Sequence, residues 1–106
     1  MPRAWQFLAI AIVSEIVATS ALKECDGLRR VLPVGIAVIG YVIAFYFLAK
    51  TLQSMPLGIA YAVWSGVGIV ALTAIGVLVY RQPISLQQYA GIAAILGGVV
   101  LVYAAD

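Results

Sequence analysis

The sequence predicts an all-α membrane protein with four transmembrane helices. Of its 106 residues, 65% are hydrophobic and 9% are charged, whereas a soluble domain carries roughly 25% charged residues. A helix needs about 20 mostly apolar residues to cross a bilayer, and the apolar runs of this chain are of that length. The composition excludes a water-soluble protein, and the net charge of +2 is too small and scattered to indicate nucleic-acid binding.

Four apolar runs define the helices of one predicted transmembrane domain that covers residues 1–106. Asp26 and Gly27 mark a turn after the first run, Pro33 fits the first turn of the second, and Pro56 precedes the third. The predicted helices cover residues 4–22, 32–52, 57–80 and 86–105. A membrane β-barrel is excluded because its strands alternate in polarity and are only about ten residues long.

The cysteine and histidine content argues against a metal site. The chain has one cysteine, Cys25, and no histidine. A single thiol cannot form an intramolecular disulfide, and no cluster of Cys and His residues exists to bind a metal. We expect Cys25 to be an inert loop thiol, and we expect neither a metal nor a cofactor.

The cationic residues divide almost evenly between the two sides of the membrane. With four spans, both termini lie on one side, together with Arg3 and Lys50, and the opposite side carries Lys23, Arg29, Arg30 and Arg81. Since cationic loops favour the cytoplasm, this small difference predicts a weak orientation preference that admits insertion both ways round. A single orientation with the termini outside is the alternative.

Glu15 is the one ionisable residue deep within a predicted span. A charged residue at the centre of a membrane helix is costly and usually functional, which favours a proton or cation site. The alternative is a protonated side chain that hydrogen-bonds between helices. Ala11, Ala18 and Thr19 share its helix face. These small residues are candidates to line a pocket, but their size alone does not distinguish a ligand from a partner helix.

The third helix carries a second group of candidate site residues. Tyr61 and Trp64 are three residues apart and share a face with Ser65. Aromatic faces attract cations, Trp most strongly, so the group predicts a binding site, with membrane-interface anchoring as the alternative. Gly66 and Gly68 follow, and they favour either a helix bend or close packing.

The second and fourth helices contribute an aromatic face and a seam of small residues. Tyr41 and Phe45 share a face of the second helix and extend the aromatic group. Gly91 and Gly98 are seven residues apart on the fourth helix, a spacing at which small residues let helices approach closely in lipid. We expect that seam to pack between subunits.

Together these features resemble the small multidrug resistance family of transporters over essentially the whole chain. The position of Tyr41 and the glycine seam agree with the resemblance. The matching stretches are SEIVATSALK, GLRRVLP and PLGIAYAVWSGVGIV.

The resemblance implies a proton-coupled exporter that works as an antiparallel, dual-topology homodimer in a bacterial inner membrane. It makes Glu15 the shared site for proton and substrate. It makes Tyr61 and Trp64 aromatic residues of the binding pocket and Tyr41 a residue at the pocket edge. By the same resemblance, Gly66 and Gly68 form the bend of the third helix, and Gly91 and Gly98 form the dimer interface.

Two branches of that family differ near these residues. The resemblance associates guanidinium export with a tryptophan three residues after the glutamate and with the motif WTGIG. Here the position holds Ala18 and the motif reads WSGVG, which favours export of hydrophobic and quaternary ammonium cations. Ala44 stands where the family often has a serine near the glutamate, a departure that bears on substrate range.

The predicted mechanism is alternating access, in which two Glu15 carboxylates hold either protons or one cation. It needs a proton gradient and no covalent chemistry, so we expect no enzyme activity. Guanidinium export is one alternative. Another is that this chain pairs with a different chain of the same family and not with a second copy of itself. A non-transporting assembly partner is the third; it predicts that Glu15→Gln keeps function, because an amide also forms hydrogen bonds.

Overall fold

In the computed structural model, which describes residues 2–105, the described chain is all-helical. Each of its four helices is long and apolar enough to cross a membrane. The helices are α1 (Pro2–Glu24), α2 (Val31–Leu52), α3 (Leu57–Leu78) and α4 (Leu86–Ala104). The predicted number and order of helices are confirmed. The chain divides into two compact units, one ending at Ala60 and one beginning at Tyr61, and the predicted single domain stays a prediction.

Helices α1 and α2 pack along a seam of mostly small residues. The seam positions are separated by three, four or seven residues, the spacing of a left-handed helix pair with a small crossing angle. The seam residues of α1 are Ala4, Leu8, Ala11 and Ala18, followed by Cys25 just beyond the helix end, and those of α2 are Pro33, Ala37, Gly40, Ala44 and Thr51. Glu15 lies in the register of this seam, between Ala11 and Ala18, and is half-buried.

Helices α1 and α2 approach each other closely at Gly40. A Cβ atom added to Gly40 would lie 2.8 Å from the Cβ of Ala18 and 3.1 Å from the carbonyl oxygen of Ser14. Ser14 and Ala18 flank Glu15 along α1, so the two backbones lie close together beside the carboxylate. Glycine is required here because any side chain would force the helices apart.

The loop between α1 and α2 turns through left-handed backbone conformations. Asp26, Gly27 and Leu28 have φ angles of 49°, 65° and 75°, which confirms the turn predicted at Asp26 and Gly27. Cys25 lies at the start of this turn and is buried, and its thiol donates a hydrogen bond to the carbonyl of Leu22 at 2.8 Å. The predicted loop position of Cys25 is therefore confirmed.

In the second unit, α3 ends two residues before its predicted boundary at residue 80. The backbone N–H of Gln82 donates to the carbonyl of Gly76 at 2.9 Å, and Arg81 has a φ of 54°. This turn ends the helix although the sequence stays apolar up to Tyr80. Helix α4 then begins with a capping box, in which Ser85 and Gln88 exchange backbone-to-side-chain hydrogen bonds of 2.8 and 3.1 Å.

Candidate functional site

Glu15 is joined to α2 through the hydroxyl group of Thr19. Thr19 lies one helical turn beyond Glu15, and its Oγ1 donates to the carboxylate oxygen Oε1 at 2.8 Å. The same Oγ1 lies 2.7 Å from the phenolic oxygen of Tyr41 on α2. The carboxylate, the hydroxyl and the phenol therefore form one hydrogen-bonded chain across the α1–α2 seam.

When Glu15 is ionised, proton counting fixes the direction of this chain of hydrogen bonds. A threonine hydroxyl carries one proton, and that proton points to the Glu15 carboxylate. Tyr41 must then donate to Thr19, so every hydrogen bond in the chain points toward Glu15. Hydrogen bonds to an ionised acceptor are stronger than those between neutral groups, and this arrangement suits a carboxylate that carries its charge.

Within the first unit, the carboxylate is bonded at one oxygen only. Thr19 occupies Oε1, and no other described side chain of that unit donates to Oε2. Glu15 is half-buried rather than sealed. Oε2 is thus the carboxylate oxygen that the described side chains of the first unit leave without a hydrogen-bond donor.

The small residues that share the face of Glu15 are used for helix packing. Ala11 and Ala18 are both fully buried, and Ala18 lies against Gly40. Ala44, where the resemblance leads us to expect a serine, is fully buried as well. A partner helix therefore fills the room beside Ala18, and the pocket-lining role of the two α1 alanines stays a prediction.

The aromatic pairs that the sequence predicts are present. The rings of Tyr41 and Phe45 stack with their centroids 6.3 Å apart. In the second unit, the rings of Tyr61 and Trp64 meet edge to face at 6.1 Å and an interplanar angle of 84°. Tyr61 is 62% exposed, and Trp64 is half-buried. The predicted convergence of these aromatics on Glu15 in one pocket stays a prediction.

Ser65 lies in a mostly apolar groove of about 370 Å³ between α3 and α4. The groove is lined by Ala62, Ser65, Gly66, Ile69, Ile95, Gly98, Val99 and Val102. Gly91 and Gly98 have open space where a Cβ atom would be. Both glycines are therefore free of close contacts on α4, and their role in a dimer interface stays a prediction.

Gly66 is a close-packing position between α3 and α4. A Cβ atom added there would overlap Cγ2 of Val99. Gly68 is buried two residues further along α3. The structure thus supports packing as one role of Gly66, and the bend at Gly66 and Gly68 stays a prediction.

Substitution of Gly66 by alanine separates packing from bending. We expect Gly66→Ala to lower thermal stability in detergent, because overpacking typically costs about 1–3 kcal/mol. The added substitution Val99→Ala removes the clashing methyl groups and should restore most of that loss. If the double variant is as unstable as Gly66→Ala alone, close packing against Val99 is not the reason for the glycine.

The sequence matches the family model described as "Small Multidrug Resistance protein" over residues 3–95. The chain belongs to the small multidrug resistance family. It is 48% identical over 99 residues to the quaternary ammonium compound-resistance protein QacE of Escherichia coli, covering 93% of this chain and 90% of that protein. It is 46% identical over 96 residues to the multidrug resistance protein EbrA of Bacillus licheniformis, covering 91% of each.

A protein of Salmonella typhimurium named "Putative ethidium bromide resistance protein" is also similar, with 46% identity over 99 residues that cover 93% of this chain and 86% of that protein. The resemblance seen in the sequence is therefore confirmed. Members of the family are transporters, so the prediction that the chain is not an enzyme is confirmed by its membership. With its four apolar helices, it is a multi-pass membrane protein.

The sequence predictions missed the role of Thr19 as a bridge. They placed Thr19 beside Glu15 and treated it as a residue that lines a pocket. The signal was present in the spacing, since a hydroxyl four residues after a carboxylate can reach it along a helix. The hydrogen bond to Tyr41 had no local signal, because it depends on the register between α1 and α2.

Proposed function

We propose that the protein exports hydrophobic and quaternary ammonium cations across a bacterial inner membrane in exchange for protons. The observation that carries this proposal is the half-buried Glu15 carboxylate, bonded at Oε1 and left open at Oε2 by the first unit. A carboxylate neutralised either by a proton or by a cation binds one load at a time. Relatives named for quaternary ammonium and ethidium resistance support this choice of substrate class.

The aromatic residues supply the rest of the proposed binding site. Tyr61 and Trp64 offer ring faces to a large, weakly hydrated cation, an attraction that strengthens when water is excluded. Tyr41 lies at the edge of the site beside Thr19, and Ser65 contributes a hydroxyl. No cofactor takes part, and the proton gradient is the energy source.

The proposed working unit is an antiparallel homodimer. Four helices are too few to enclose a wide site, and two copies bring two Glu15 carboxylates to it. The nearly even division of cationic residues allows both orientations, and Gly91 and Gly98 on α4 are open to a second copy. A dimer of two opposed copies has two conformations of similar energy, one with the site open to each side of the membrane. Exchange between these conformations moves the site from one side to the other.

A binding titration against pH tests this proposal. Purified protein should bind tetraphenylphosphonium more tightly as the pH rises, because protons and the cation compete for Glu15. Each bound cation should release protons, which an unbuffered solution reports directly. Binding that does not change with pH would contradict proton exchange.

Guanidinium provides the comparison in the same titration. We expect it to bind more weakly than tetraphenylphosphonium, in keeping with Ala18 and the WSGVG motif. The opposite preference would assign the protein to guanidinium export and would leave the exchange mechanism intact.

A further inference from the structure

Tyr41 has two possible ways of acting on the bound cation, and the structure distinguishes them. A tyrosine at a pocket edge can contact the cation through its ring or hydroxyl. Here, however, the Tyr41 hydroxyl is 2.7 Å from Thr19 Oγ1, and its ring stacks on Phe45 of its own helix. Both polar and aromatic contacts of Tyr41 are thus made within the protein.

We propose that Thr19 is a positioning residue and that Tyr41 acts on Glu15 only through it. This inference rests on the proposed function, since it concerns how the carboxylate is prepared for its load. Thr19 fixes Oε1 by donating its single proton, and Tyr41 holds the Thr19 hydroxyl in that direction by donating in turn. The incoming proton or cation therefore meets Oε2.

The surroundings of Thr19 support this assignment. Its neighbour Ala18 lies against Gly40, where the backbones of α1 and α2 are close together, and Tyr41 follows Gly40 directly. The register that closes the seam also sets the distance from Tyr41 to Thr19. The chain of hydrogen bonds is therefore a product of tight backbone packing.

Among the ionisable side chains of α2, one takes part in the hydrogen-bonded chain of Glu15, Thr19 and Tyr41. That side chain is Tyr41 itself, since Lys50 lies nine residues further along α2 with its ammonium 5.7 Å from the centre of the Tyr46 ring. On α1, Lys23 is eight residues beyond Glu15, about two helical turns away. The hydrogen-bond partner of the carboxylate in the first unit is thus the Thr19 hydroxyl, which in turn is bonded to the Tyr41 phenol.

A double-mutant cycle on Thr19 and Tyr41 tests the proposal, with tetraphenylphosphonium affinity as the measurement. Thr19→Val keeps the side-chain shape and removes the donor, and we expect affinity to fall about tenfold, as for the loss of a hydrogen bond to a charged group. Tyr41→Phe should cost about threefold, the usual scale for a neutral hydrogen bond. In the Thr19→Val background, Tyr41→Phe should change nothing further.

Conservative variants separate positioning from mere packing. Thr19→Ser keeps the hydroxyl and should retain both the affinity and the effect of Tyr41→Phe. Thr51→Val is the matched control, because Thr51 is a buried threonine that bonds to the carbonyl of Phe47, away from Glu15. Tyr46→Phe is the corresponding control for the loss of a phenol. Neither control should alter cation affinity.

Infrared spectroscopy gives a second, independent measurement. The carboxylate stretching bands of Glu15, assigned by their loss in Glu15→Gln, should shift in Thr19→Val and stay unshifted in Thr51→Val. Should Thr19→Val fail to fold, Thr19→Ala removes the same hydroxyl with less bulk and enters the same cycle.

Equal effects of Tyr41→Phe in both backgrounds would overturn the proposal, because Tyr41 would then act on the cation independently of Thr19. Unchanged affinity and unchanged carboxylate bands in Thr19→Val would overturn it as well. Failure of the proposed function has a different signature, namely full cation binding by Glu15→Gln. The two outcomes are therefore distinguishable.

Discussion

Glu15→Gln should abolish proton-driven cation transport. In proteoliposomes with an imposed proton gradient, accumulation of a quaternary ammonium cation should fall to the level of empty vesicles. An amide carries neither the negative charge that attracts the cation nor the proton that is exchanged for it. Tetraphenylphosphonium binding to the purified variant should be lost for the same reason.

The substitution is a sharp test because it leaves the hydrogen bond in place. The amide oxygen of the introduced glutamine can accept from Thr19 as Oε1 of Glu15 does at 2.8 Å, so the link from α1 to Tyr41 is preserved. If Glu15 served only to join helices, Glu15→Gln would keep full function. Cation accumulation against a gradient by this variant would exclude the exchange mechanism.

Glu24→Gln is the matched control for this experiment. Glu24 is at the end of α1, and its exposed carboxylate lies 3.6 Å from the guanidinium of Arg30. An exposed ion pair of this kind contributes little to stability. The variant should transport cations at the rate of the unmodified protein. The comparison shows whether the loss of transport in Glu15→Gln is specific to Glu15 or follows the loss of any carboxylate.

The helices and their order could be predicted because lipid imposes a simple length and polarity rule on each span. The boundary at the end of α3 is an exception with a local cause. The end of α3 was predicted two residues too late because the turn at Arg81, closed by the bond from Gln82 to Gly76, leaves no trace in an apolar sequence.

The residues of the candidate site could be predicted from the sequence, but the contacts between them could not. Glu15 stood out by its charge, and Tyr61 and Trp64 by their spacing. The room beside Ala18 was ambiguous in sequence, since small residues serve a ligand and a helix equally well. Only the register of α1 on α2 shows that Gly40 fills it and that Tyr41 reaches Thr19.

Gly40→Ala should destabilise the α1–α2 pair and weaken cation binding with it. The new methyl group would lie 2.8 Å from the Cβ of Ala18 and 3.1 Å from the Ser14 carbonyl oxygen. The latter is backbone and cannot rotate away, so the helices must separate. We expect overpacking to cost on the order of 1–3 kcal/mol. Alanine regains roughly 1 kcal/mol over glycine in helix propensity, so the net change is a destabilisation of up to about 2 kcal/mol.

Gly35→Ala, on the same helix, is the matched control for Gly40→Ala. A Cβ atom at Gly35 meets nothing within 4 Å, so this variant should be as stable as the unmodified protein or more so. Thermal unfolding in detergent measures both variants. Adding Ala18→Gly to Gly40→Ala removes the nearest clash and should restore part of the loss, since the Ser14 carbonyl remains.

Equal stability of Gly35→Ala and Gly40→Ala would contradict close packing of α1 against α2 at Gly40. Because the bond from Tyr41 to Thr19 depends on the same separation, the recovery of cation affinity should follow the recovery of stability.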